Sequence, residues 1–274
     1  MIPFTKAHAC GNDFLIITEE AAAKHDPVAL TRRLCARNTG IGADGIEFFA
    51  WTGPRSGLVR LYNADGSVAE ISGNGTRCVA AWMAEALSSP RGDVLEIATD
   101  AGLRICRING VDRAHGFAVE VTTGMGVPAI ARRTVRLAGG IEIEGAEVAT
   151  GNPHFVIRVD NAHFKVAGKD WQSIGAGICT HPDFPHQTNV EFVRIVSPAE
   201  IEIRIFERGV GPTTSSGTGS SATAAAALAF DGCTSPLKVV APGGPQTVAW
   251  NGPGTELQLT GPAALIARGE AWPA

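Results

Sequence analysis

Two stretches of this chain follow one plan, 144 positions apart. The first, Leu61 to Leu87, reads LYNADGSVAEISGNGTRCVAAWMAEAL; the second, Ile205 to Phe230, reads IFERGVGPTTSSGTGSSATAAAALAF. Each has a strand end, a polar turn, a Ser-Gly-x-Gly step and a helix. The same shift pairs Tyr62 with Phe206, Asn63 with Glu207, Ser72 with Ser216 and Ala80 with Ala224. It also pairs Leu34-Cys35 with Ile178-Cys179, and Ile46-Glu47-Phe48 with Val190-Glu191-Phe192. Nearer the start, Gly11-Asn12 before Phe14 echoes Gly151-Asn152 before Phe155 at a shift of 140 or 141. Val119-Glu120-Val121 before Gly124 echoes Leu257-Gln258-Leu259 before Gly261. Five such matches in one order are not chance, so the chain is an internal duplication. Its 274 residues then divide into two domains, 1–123 and 124–262, with 263–274 returning to the first half.

The repeated unit fixes the fold class. Cys78, Val79, Trp82, Met83, Ala86 and Leu87 make one apolar stripe at a period near 3.6, and Ser88, Ser89, Pro90 and Gly92 end that helix. The second helix, rich in alanine from Ala222 to Ala229, is apolar on every side, which places it inside a curved or closed sheet. Segments 3–8, 13–18, 94–98, 103–108, 116–121, 189–195 and 200–206 alternate like short strands between Gly, Asp and Asn turns. Asp26-Pro27 opens a helix to Arg37, with Asp as N-cap and Pro at the first position. A helical stretch runs irregularly from Asp170 to Cys179, and 124–133 reads as the linker. The expected fold is α+β, with two pseudo-symmetric domains, each a mostly antiparallel sheet or barrel around a central helix. Both helix N-termini are expected to face a common cleft.

Composition removes several functions. A net charge of −4 without a Lys/Arg cluster argues against nucleic-acid partners. No apolar run approaches the ~20 residues of a membrane span, and MIPFTKAHACGNDF lacks a signal-peptide core. Six dispersed cysteines, none in a CxxC pair, read as reduced thiols in the cytoplasm rather than a zinc site or disulfide scaffold. TGIGADG at 39–45 contains G-x-G-x-x-G, but with helix before and strand after it is no dinucleotide fingerprint. Neither Ser-Gly-x-Gly step carries the Lys-Ser/Thr ending of a phosphate loop.

The polar residues suit one chemistry. Gly73-Asn74 after Ser72, and Gly217-Thr218 after Ser216, open helices whose first-turn amides can hold a carboxylate. Two such groups on opposite faces of an α-carbon can remove a proton and return it from the far side, inverting the centre without metal or cofactor. Asn12, Asn63, Asn152 and Asn189 each offer donor and acceptor to a zwitterion, Arg208 can clamp a carboxylate, and Glu207 can accept from an ammonium. Each also has a plainer reading. Serine before a helix is most often an N-cap, asparagine beside glycine is most often a turn residue, and Glu207-Arg208 can be a surface pair. His154 stays undecided between site and turn, and Cys78 reads as core.

At this point the chain resembles the diaminopimelate epimerases, within the group that holds proline racemase and the phenazine-pathway isomerases. The resemblance rests on KAHACGNDF at 6–14, TGIGADG at 39–45, YNADGSVAE at 62–70, SGNGTRC at 72–78, GNPHF at 151–155, FPHQTNVEF at 184–192 and ERGVG at 207–211. It implies a homodimer of two-domain subunits and a cofactor-independent, two-base epimerisation of LL- and meso-diaminopimelate. It also implies that Asn12, Asn63, Asn152, Asn189, Glu207 and Arg208 contact substrate, with Ser72 and Ser216 at the base positions. There the family typically carries cysteine in both loops, so both bases depart from the pattern. A hydroxyl lies roughly five units above a thiol, about 7 kcal/mol in basicity. Three functions stay open: an epimerase impaired by that change, a catalytically silent binder of a diamino acid, and a related isomerase or dehydratase needing one strong base.

Overall fold

The computed structural model describes residues 1–114 and 116–272. In chain order its elements are β1 (Ile2–Ala9), β2 (Asn12–Thr18), α1 (Glu19–Ala22), α2 (Pro27–Cys35), β3 (Gly45–Gly53), β4 (Ser56–Asn63), β5 (Val68–Ala69), α3 (Gly73–Ala86), β6 (Val94–Thr99), β7 (Gly102–Asp112) and β8 (Phe117–Gly124). There follow β9 (Ala129–Leu137), β10 (Ile141–Ala149), β11 (Pro153–Arg158), α4 (Trp171–Cys179), β12 (Asn189–Ser197), β13 (Glu200–Glu207), β14 (Gly211–Thr213), α5 (Gly217–Phe230), β15 (Leu237–Ala241), β16 (Gly244–Ala249) and β17 (Gln258–Ala271). Two compact units result: Met1–Gly124 with Thr260–Ala274, and Met125–Leu259.

In the first unit the strands close on themselves. β17 runs antiparallel to β1, β1 to β2, and β3 to β4; β2 is parallel to β3, and β4 to β6. β6, β7 and β8 form a meander, and β8 returns to β17. The parallel pairs need crossovers, supplied by α1 and α2 for one and by α3 for the other. Helix α3 lies against Phe14, Leu95, Ile97 and Val121 in the main core. Cys78, Val79, Ala80, Ala81, Met83 and Ala84 are all fully buried. The buried surface of α3 is therefore wider than the single stripe expected, while Leu87, its C-cap, is exposed. Helix α2 covers the other face, where Leu30 and Leu34 meet Leu15, Ile46 and Phe48.

The second unit repeats the order. β9, β10 and β11 are antiparallel neighbours, β11 is parallel to β12, β12 antiparallel to β13, β13 parallel to β15, and β15 antiparallel to β16. The crossovers are now α4 and α5. Ala222 to Ala227 of α5 is buried against Ile201, Ile203, Leu237 and Leu259. Helix α4 packs Ile174 and Ile178 on Phe155 and Phe192. Two local expectations are corrected. The 124–133 segment is a linker only as far as Pro128, because Ala129 begins a strand paired with β10 along its whole length. The Asp170–Cys179 stretch is regular, with Asp170 in an extended N-cap geometry. Among the described residues no helix is long and apolar enough to cross a membrane.

Candidate active site

Each unit carries a polar cluster at the amino terminus of its central helix. In the first, Ser72 is the N-cap of α3, and its Oγ accepts from Gly75 N at 3.0 Å. The next residues tie the helix to the β1–β2 turn. Asn74 is fully buried and donates through Nδ2 to Asn12 Oδ1 at 3.1 Å. Arg77, also fully buried, donates to Asn74 Oδ1 at 2.6 Å and to Gly73 O at 3.1 Å. Burial lowers the Arg77 guanidinium, against a hydrogen bond and charge contact with Cys10.

The TGIGADG segment supplies the other side of Asn12. Asp44 Oδ2 accepts from Asn12 Nδ2 at 2.6 Å and from Asp13 N at 3.1 Å. Arg37 bridges Asp44 and Asp13, at 2.7 and 2.8 Å, and Lys6 meets Asp13 at 3.0 Å. Burial works to raise the Asp13 carboxyl, but Arg37 and Lys6 outweigh it and hold it below the ordinary range. Gly42 stands at φ +79, and a Cβ on Gly40 would lie 2.3 Å from Arg33 O. The glycines of this segment therefore shape a tight turn that orients Asn12.

In the second unit Ser216 caps α5, its Oγ accepting from Gly219 N at 3.1 Å and lying 3.3 Å from Thr218 Oγ1. Asn152 Nδ2 reaches Thr218 Oγ1 at 3.5 Å, the counterpart of the Asn12–Asn74 contact. His154, fully buried, lies 2.8 Å from Asn152 Oδ1 through Nε2 and 2.8 Å from Glu191 Oε1 through Nδ1. An amide oxygen only accepts, so Nε2 carries a proton, and a further proton sits between Nδ1 and Glu191. A continuous polar path thus runs Glu191, His154, Asn152, Thr218, Ser216.

The remaining site residues are placed differently. Asn189 bonds the main chain at both ends of its amide: Nδ2 donates to Pro153 O at 3.1 Å, and Oδ1 accepts from Arg208 N at 2.9 Å, which leaves one N–H and one lone pair. It clamps the 151–153 turn to the ERGVG turn. Arg208 is exposed, with Nη1 bonded to His186 O at 3.0 Å, and Glu207 ends β13 beside it. Asn63 closes the β4–β5 turn through Ser67, at 3.0 Å from Nδ2 to Oγ. Ala64 N bonds Asp44 O at 2.9 Å, which joins that turn to the first cluster.

Sequence reading passed over four residues of these clusters: Asp44, Arg77, Glu191 and Glu47. Glu47 on β3 is 2% exposed, and burial alone pushes its carboxyl up to about 8. A Cβ on Gly75 would stand 1.8 Å from Glu47 Oε1 and 3.2 Å from Ser72 Cβ. In the second unit a Cβ on Gly219 would meet Glu191 Oε1 at 2.8 Å and Ser216 Oγ at 3.2 Å. Each cap serine therefore shares a glycine with a buried glutamate beneath it. The signal was present as an acidic residue inside the apolar runs IEFF and VEFV. No thiol stands in for Ser72 on this helix, since burial raises the Cys78 thiol far above its usual range. An apolar cavity of about 540 Å³ lies at the far end of α5 beside Leu228, Phe230 and Trp250, and holds no part of either cluster.

This fold, with an N-capped helix inside each half, is shared with solved structures that carry epimerase and phenazine-biosynthesis names. A hydroxyproline epimerase from Agrobacterium vitis, solved with bound trans-4-hydroxy-L-proline, matches with a TM-score of 0.71 at 16% identity over 98% of this chain and 90% of that one. A phenazine biosynthesis protein of the PhzF family from Bacillus anthracis matches at 0.72 and 16% identity, over 99% of each chain. In sequence, the diaminopimelate epimerase family model matches residues 4–129 and 147–266. The diaminopimelate epimerase of Phocaeicola vulgatus is 33% identical over 98% of both chains, and that of Parabacteroides distasonis is 34% identical over 98% of this chain and 97% of its own. The chain belongs to the diaminopimelate epimerase family, and with it to the isomerases.

Proposed function

We propose that the protein binds diaminopimelate and interconverts its LL and meso forms by proton transfer at Cα, slowly, because both base positions hold serine. Ser72 is assigned to one face of the α-carbon and Ser216 to the other. The observation that carries this is the repeated construction: each serine caps a glycine-containing first turn, and each of those turns contacts an asparagine of the neighbouring turn, Asn12 or Asn152. Backbone amides at a helix start suit a carboxylate, and the asparagines suit the ammonium and carboxylate of an amino acid. Arg208 and Glu207 are assigned to the distal amino-acid group. The residue set uses acid–base chemistry alone, with no metal or organic cofactor in any step proposed. We place the reaction in amino-acid (lysine) biosynthesis, in the cytoplasm, with a homodimer as the working form.

A second reading is favoured by one observation: among the described residues neither serine hydroxyl is hydrogen-bonded to a charged base. On that reading the protein binds the diamino acid without turnover. Solvent-deuterium incorporation at Cα of LL- and meso-diaminopimelate separates the two. Exchange supports the epimerase; tight binding with no exchange supports the silent binder. Absence of binding removes both.

A further inference from the structure

Glu47 has no role in the chemistry assigned above, yet it occupies the most constrained position in the first cluster. It is buried on β3, opposite Ile16 of β2 and Leu61 of β4, and its Oε1 presses on Gly75 in the first turn of α3. The groups facing it are few. From α3 comes the Cys78 thiol, while the neighbouring Arg77 guanidinium turns to Asn74, Gly73 O and Cys10. At its own register β2 and β4 place the apolar Ile16 and Leu61, and Ser72 approaches the same glycine, Gly75. No ion pair or hydrogen bond holds the carboxyl among the described residues, and burial raises it.

The second unit shows what is missing. Glu191 stands at the equivalent register, opposite Val156 of β11, under Gly219. There His154 Nδ1 answers it at 2.8 Å. At the register of His154 the first unit has Phe14, since His154 lies opposite Asn189 as Phe14 lies opposite Gly45. One glutamate beneath a helix start thus has an imidazole partner, and the other does not.

We propose that Glu47 gates the anion seat at the amino terminus of α3: uncharged, it leaves the first-turn amides to a bound carboxylate; charged, it occupies their field and repels the ligand. This rests on the reading of that turn as a carboxylate seat. The physical basis is general. A helix start carries about half a positive charge, which one buried carboxylate neutralises, and two anions a few ångströms apart in a poorly screened site oppose each other strongly. Glu47 is a positioning residue here, since it acts through the helix turn without touching ligand. Above neutral pH the first cluster should lose its grip on a carboxylate, while the second, with its paired glutamate, should not.

The test follows the amide resonances of Gly73, Asn74 and Gly75 in the full-length protein and in Glu47→Gln from pH 6 to 10, with affinities for diaminopimelate and acetate. The expected result is a shift of all three amides with a midpoint near 8 in the wild type, absent in the variant. Affinity should fall at least about tenfold across that midpoint in the wild type only, with Glu47→Gln keeping its low-pH affinity throughout. A packing role alone would lower the variant's affinity equally at every pH. That outcome, or matching pH profiles in the two proteins, overturns the gate. If diaminopimelate fails to bind while acetate binds with the stated profile, the gate stands and the ligand assignment falls. If neither anion binds, both fall.

Discussion

The side-chain amide of Asn74 donates to Asn12 Oδ1 at 3.1 Å, joining the first turn of α3 to the β1–β2 turn. Its direction is forced from both ends. Arg77 can only donate, so the atom of Asn74 facing it is the oxygen. Asn74 then offers nitrogen to Asn12, and Asn12 turns its own nitrogen to the Asp44 carboxylate. The Asn12 amide is fixed before any ligand arrives, with one N–H and one lone pair to spare. Asn12→Ala and Asn74→Ala should therefore be non-additive, with a coupling of about 0.5–3 kcal/mol in a double-mutant cycle. Additive losses in urea unfolding would show that the pair does not act as a unit.

Glu47 also sets a pH dependence of stability. Its folded carboxyl titrates near 8, against an ordinary 4.5. Below 4.5 both folded and unfolded chains hold the proton. Between 4.5 and about 8 the unfolded chain releases it while the folded chain keeps it, so stability falls as pH rises. Glu47→Gln removes that fall. Relative to the variant, the wild type should lose on the order of 1 kcal/mol per pH unit within the window and nothing outside it. Parallel curves of unfolding free energy against pH would contradict this.

Much of this was legible in the sequence because it rests on local rules. The repeat exposed the duplicated plan, and an alanine-rich run with no polar face, Ala222 to Ala227, has to lie inside a sheet. The Ser-Gly-x-Gly steps announced helix starts, and both serines do cap. What was not legible depends on contacts across the chain. Asp44 lies 32 positions from Asn12, and Glu191 lies 37 from His154. No local pattern distinguishes Asp44 from a surface acid, and although the apolar run VEFV marks Glu191 as buried, nothing local names His154 as its partner. The two main-chain bonds of Asn189, to Pro153 O and from Arg208 N, are likewise long-range and have no local sequence signal.

The buried pair of His154 and Glu191 carries a stability prediction. His154→Leu leaves an unanswered carboxyl among apolar strands and should cost about 3–5 kcal/mol, whereas His154→Leu with Glu191→Leu should cost less than the single change. Denaturant midpoints near neutral pH decide it. A double variant less stable than either single would mean that the pair is net stabilising.

Arg208 is exposed and tied to the main chain of His186, so its guanidinium is presented without being buried. Arg208→Ala should weaken diaminopimelate by about 1.5–3 kcal/mol, the worth of a hydrogen bond to a charged group. It should change lysine, which lacks the distal carboxylate, far less. Equal losses by calorimetry would remove Arg208 from the distal site.

The two serines give the sharpest test. Each Oγ accepts from the third amide of its helix, Gly75 N or Gly219 N, at 3.0 and 3.1 Å. A sulfur at either place would sit in the same positive field, which favours a thiolate. A hydroxyl stays some five units too high to ionise there, about 7 kcal/mol short of a thiol. Ser72→Cys with Ser216→Cys should therefore create or greatly raise α-proton exchange with diaminopimelate. Either single change should do much less, because inversion needs a base on one face and an acid on the other. Asn12 already contacts Asn74, and Asn152 already contacts Thr218, so nothing else needs altering. Exchange is measured by deuterium uptake from solvent. A double variant that folds, binds the ligand and exchanges no α-proton would refute the epimerase assignment and leave the binder.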